Sequence, residues 1–185
     1  GNTGMVLITN AADDITNDAA GTINVSSTEK RQNIAMRVGK GSVSTDAPGT
    51  PKAINNGTIT LDGDSSIGMV GINADVVNNA GKTISGNTII NGIGMATSGG
   101  QLNNSGKIEL KGTGTATNVG VYMTKGTGNP SGTLASTSDI SVKGDNSTGV
   151  LITNGTLNYG GNITAEGNGV SGLIIGDNAS NTTNA

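Results

Sequence analysis

The side chains of this chain that could do chemistry are carboxylates. Asp62-Gly63-Asp64 puts two of them one residue apart ahead of a tight turn, and Asp13-Asp14 with Asn17-Asp18 makes a second acidic corner. Oxygen ligands spaced in this way suit a hard divalent cation such as Ca²⁺. Carboxylates paired across a groove would instead serve acid–base cleavage of a glycosidic bond, with Asp75 and Asp145 as further candidates. The rest of the inventory argues against both. The 185 residues include no His, no Cys and only two Arg, Arg31 and Arg37. Asp is also an ordinary turn residue, and neither acidic corner continues the Gly- and Asp-rich nonapeptide series that makes calcium structural. We therefore expect no catalytic residue, no metal site and no cofactor, and read these Asp residues as solvated corners. Asn-x-Ser/Thr triplets such as Asn56-Gly57-Thr58 are what chance supplies in so Asn- and Thr-rich a chain. The glycines of 112–114 lack the Lys-Ser/Thr ending of a phosphate loop.

What would position any site is a pair of short motifs that recur from end to end. The first is an apolar residue, often Asn-Asn, then Gly and Ile. It appears as Ile54-Asn55-Asn56-Gly57-Thr58-Ile59, Val77-Asn78-Asn79-Ala80-Gly81-Lys82-Thr83-Ile84 and Leu102-Asn103-Asn104-Ser105-Gly106-Lys107-Ile108, with weaker copies ending at Ile23, Ile140 and Ile163. The second is Gly before an apolar run, as in Gly4-Met5-Val6, Gly68-Met69-Val70, Gly94-Met95-Ala96, Gly120-Val121-Tyr122, Gly149-Val150-Leu151 and Gly172-Leu173-Ile174. The shortest full repeat is 23 residues, and length varies mainly on the return from the second motif to the first. Stacked strands must keep their length while corners can bulge, so this is the behaviour of a solenoid. Period-two runs such as Ile108-Glu109-Leu110-Lys111 make the coils strands, and no helical stripe persists. The fold class expected is all-β: a single-stranded right-handed β-helix of about seven coils of 23 or more residues, with 1–185 as one segment.

Composition fits that fold. At 32% hydrophobic and 1% aromatic, with 32 Gly, the chain is poorly equipped for a compact core, because backbone ordering costs roughly 1 to 2 kcal/mol per residue. A solenoid needs only a narrow core of stacked Ile and Met. Asn tolerates left-handed corners, and stacked Asn side chains can bond along the axis as a ladder; one of each pair Asn55/Asn56, Asn78/Asn79 and Asn103/Asn104 is expected to do so. A net charge of -3 with 10 thinly spread basic residues points to no nucleic-acid partner. No run of about 20 apolar residues exists to form a membrane-spanning helix. Gly1 opens within a repeat, so the expectation is an internal piece of a longer protein.

Repeated Asn-Asn-x-Gly-x-Ile and Gly-Met-Val units, rich in Gly, Asn and Thr and free of Cys, resemble the passenger domains of type V autotransporters, in particular the very large fusobacterial outer-membrane adhesins. The resemblance implies export through the periplasm, a C-terminal β-barrel outside this segment, display on the bacterial cell surface, and adhesion to proteins or glycans of host cells or other bacteria. It carries over no binding residue, because the shared positions are the stacking ones.

Two surfaces are candidates for binding. If Met5, Met36, Met69, Met95, Val121, Val150 and Leu173 point inward, the adjacent outward row reads Val6, Arg37, Val70, Ala96, Tyr122, Leu151 and Ile174. This phase keeps Arg37 out of the core. An outward apolar stripe is either covered or an interface, with Val6, Val70, Tyr122, Leu151 and Ile174 as interface residues. The second surface is an edge carrying the insertions 37–52 and 124–133, where Arg37, Lys40, Lys52 and Lys125 would suit an acidic or carboxylated ligand. The reading is an adhesin segment that is not an enzyme. The alternatives are a structural subunit that self-assembles through the stripe into an oligomer or fibre and, third, a carbohydrate-active β-helix enzyme.

Overall fold

A computed structural model describes residues 2–26, 32–40, 50–125 and 133–184. Among them are eighteen strands and no helix. In chain order β1 is Thr3–Thr9, β2 Asp14–Asn17 and β3 Thr22–Val25; β4 is Ile34–Lys40, β5 Lys52–Asn55 and β6 Thr58–Leu61. Next come β7 at Ile67–Ile72, β8 at Asp75–Asn78 and β9 at Thr83–Gly86, then β10 at Ile93–Ser98, β11 at Leu102–Asn104 and β12 at Lys107–Lys111. The last are β13 (Val119–Thr124), β14 (Thr133–Ser136), β15 (Ile140–Lys143), β16 (Thr148–Tyr159), β17 (Ile163–Glu166) and β18 (Ser171–Asn184).

Every pairing is parallel, and up to β13 each strand pairs with the third one after it. The chain therefore climbs three rows, which is consistent with a β-helix. The first row joins β1, β4, β7, β10, β13 and β16, and the second joins β2, β5, β8, β11, β14 and the far half of β16. The third row, β3, β6, β9, β12, β15 and β17, is a separate six-stranded sheet. Twelve-residue β16 runs through two rows, stacking Val150 on Val121 and Leu157 on Leu134.

The core lies between the rows. Ile59, Ile84, Ile108 and Ile140 of the third row and Met36, Met69, Met95, Val121 and Val150 of the first are buried, as the alternation of both motifs leads one to expect. Met5 in the first strand is only partly buried, and Leu173 in the last is 40% exposed. The glycine of the second motif has a steric cause. A Cβ on Gly94 would lie 2.6 Å from both the Gly120 carbonyl oxygen and Cγ2 of Ile108, so the Ile of one motif seats directly on the Gly of the other. Gly120 stands in the same relation to Ile140, and Gly149 to Ile163.

A buried amide ladder closes the second row. Asn17, Asn55, Asn78 and Asn104 end their strands in register, and each Nδ2 donates to the next Oδ1 at 2.8, 2.9 and 2.9 Å; Asn104 then donates to Ser136 Oγ at 3.3 Å. Buried amides left unpaired would each cost about 1–3 kcal/mol, so the ladder fixes the register of the coils. Tyr159 follows Ser136 in register, its phenol donating toward the carbonyls of Asn162 at 2.8 Å and Ser138 at 3.1 Å. The left-handed corners fall on other residues: Ser65, Asn73, Asn91 and Asn146 have φ of 59°, 50°, 56° and 60°.

Candidate binding face

The outward residues of the first row fall into columns. Val6, Arg37, Val70, Ala96, Tyr122, Leu151 and Ile174 are aligned rung by rung across β1, β4, β7, β10, β13, β16 and β18. Exposure varies along the column: Val6 is 57% and Ile174 40% exposed, Val70, Tyr122 and Leu151 are partly buried, and Ala96 at 7% is buried between its neighbours. A parallel column two residues on reads Ile8, Gly39, Ile72, Ser98 and Thr124, and in it Ile8 is 55% and Ile72 38% exposed. Its apolar members were not anticipated from the sequence. The two-residue step from the first column would have found them.

Arg37 is the only charged residue in these two columns. Its Nε is buried and has no hydrogen-bond partner, and none of the ion pairs among the described residues includes it.

The other three cations are distributed differently. Gly39, Ile72, Ser98 and Thr124 are in register, so Lys40 and Lys125, each one residue further, stand at one corner three strand steps apart, about 14 Å. Residues 41–49 and 126–132 of the two insertions lie outside the described residues. Lys52 is on the second row, in register between Asp14 and Asp75. The structure thus brings Lys40 and Lys125 to one corner, Arg37 to the apolar columns and Lys52 to a charge column of its own.

In that column burial raises Asp75 above the usual carboxylate range, although the Gln101 N–H donates to its Oδ1 at 2.9 Å and Lys52 is nearby. On the third row Glu109 accepts from Lys111 at 3.0 Å and Lys107 at 3.3 Å, and these hold its carboxyl below the ordinary value. Burial, with the charge of Asp139 adding, pushes the Tyr159 phenol up to about 12. Asp13 accepts from Thr9 Oγ1 at 2.9 Å, and Asp145 from the Asn168 N–H at 2.8 Å. Among the described residues no three Asp or Glu side chains gather as metal ligands would. No family model, curated protein or solved structure matches the chain.

Proposed function

We propose that the chain is a segment of a surface-displayed bacterial adhesin, a rigid right-handed β-helix of about seven coils that presents binding surfaces at a distance from the membrane to proteins or glycans of host cells or other bacteria. The observation that supports this best is the unbroken in-register stack. Ladder partners are 38, 23, 26 and 32 residues apart in sequence, yet their side chains stay within hydrogen-bond distance. Such an array is stiff along its axis and tolerant at its corners, which suits a stalk carrying variable loops. The test is attachment. Cells displaying the segment from an outer-membrane barrel anchor should adhere to host monolayers or partner bacteria better than cells displaying an unrelated β-helix of equal length; equal attachment would sink the reading.

A second reading, a self-assembling subunit, is favoured by the aligned apolar column and by the exposure of Val6 and Ile8. Under it the purified chain forms oligomers whose mass falls on Tyr122→Ser with Leu151→Ser. A wild type that stays monomeric at high concentration removes it.

A further inference from the structure

We propose that the outer face of β1, β4 and β7 is a docking niche for a carboxylate flanked by aliphatic side chains, that is, for an extended protein segment with Glu or Asp between apolar residues. The inference rests on the binding reading above and names the chemistry of the partner.

Six positions define the niche. Val6, Arg37 and Val70 form one line, and Ile8, Gly39 and Ile72 the line beside it, so that Arg37 and Gly39 are central and aliphatic residues surround them. Gly39 lets the neighbouring side chains close over the backbone: it is buried, and a Cβ there would meet Ile8 Cδ1 at 3.1 Å, so Ile8 and Ile72 form a continuous apolar line beside Arg37. The side chains of Val6 and Ile8 stand more than half exposed.

A guanidinium carries five N–H donors arranged for a carboxylate, and among the described residues Arg37 meets no anion. The Nε itself is covered, so a carboxylate docking on this face would meet the remaining N–H groups of the guanidinium. The aliphatic walls select the rest of the ligand. They offer no groups to bond the hydroxyls of a sugar, whereas they match the side chains that follow at two-residue steps in an extended peptide. An exposed apolar patch centred on an unpaired cation is complementary to an apolar segment carrying one negative charge.

The experiment uses the whole chain, isotope-labelled, and two capped peptides, acetyl-Val-Thr-Glu-Thr-Val-amide and its Gln counterpart, in which Glu and both Val share one face of the extended chain. Amide shifts should move at Val6, Ile8, Arg37, Gly39, Val70 and Ile72, with the Glu peptide binding about tenfold or more tightly than the Gln peptide, the scale of one charge-assisted pair. Arg37→Gln should erase that preference while leaving the spectrum folded. Equal binding of the two peptides, or a preference that survives Arg37→Gln, would overturn the proposal. So would concentration-dependent shifts at these residues without peptide, which would give the face to a second copy of the chain. Cell attachment is not read here, so its failure and the failure of the niche are separable.

Discussion

Asn78 Nδ2 donates to Asn104 Oδ1 at 2.9 Å while Asn78 Oδ1 accepts from Asn55 Nδ2 at 2.9 Å, so one buried amide is shared between the coils on either side of it. Replacing Asn78 with Ala leaves a buried donor and a buried acceptor unpaired, and unfolding by denaturant should report a loss of about 2–5 kcal/mol. Asn79, one residue on, bonds Asn56 at 2.6 Å from a partly exposed position. Asn79→Ala should therefore cost less than about 1 kcal/mol. Similar losses for the two variants would contradict the ladder as the register device.

Gly94→Ala should destabilise by about 1–3 kcal/mol or more, because its Cβ would press on backbone of the next coil as well as on Ile108. Gly39→Ala presses closely only on Ile8 Cδ1 at 3.1 Å, the far end of an exposed side chain that can turn aside, while the Ile72 carbonyl oxygen and Cβ stay at ordinary contact, so it should stay within about 0.5 kcal/mol of wild type. Thermal unfolding of the two variants side by side is the check. Equal melting temperatures would mean that the Gly of the second motif is not there to seat the Ile.

Asp75 gives a pH dependence whose sign can be worked out. Its folded carboxyl is raised above 3.8, so the folded chain holds that proton more tightly than the unfolded one and stability falls as pH rises from the ordinary Asp value through the raised one. Asp75→Asn removes the effect and can still accept from the Gln101 N–H. The variant should melt above wild type at neutral pH and together with it at pH well below the usual Asp range. A variant less stable at neutral pH would show that Lys52 outweighs burial at this site.

Tyr159 should titrate late. In a Tyr122→Phe background, phenolate absorbance of the folded chain should appear near pH 12, and near the ordinary value of 10.0 once the chain is unfolded. The folded phenol resists ionisation, so stability should be lost between those two values. Titration of the folded chain near 10 would place the phenol in water.

The stack was legible in the sequence, since Ile108-Glu109-Leu110 alternates cleanly and its Ile and Leu are fully buried. The full ladder was not. Asn17 lacks a neighbouring Asn, and Ser136 substitutes a hydroxyl for an amide, so a search for Asn-Asn misses both ends. The physical pattern is apolar, any residue, then a small polar one, as in Ile15-Thr16-Asn17, Val76-Val77-Asn78 and Leu134-Ala135-Ser136, with the first and third facing inward in the buried coils. That period-two rule finds them. The place of Arg37 in the outward row, between Val6 and Val70, was legible from the motif phase; that its Nε is buried without a partner was not, because that is decided by residues of other coils, tens of positions away in sequence.

The ladder also has a meaning for how such a chain changes length. Consecutive keys are separated by anything from 23 to 38 residues, so the stack counts coils and ignores the number of residues between them. A stretch cut at two matching points, such as just before Val76 and just before Leu102, would rejoin in phase if copied in tandem, because each copy arrives with its own amide for the row. Unequal exchange between repeats would then lengthen or shorten the rod by whole coils without a frame to repair, and related chains would come to differ in reach before they differ in fold.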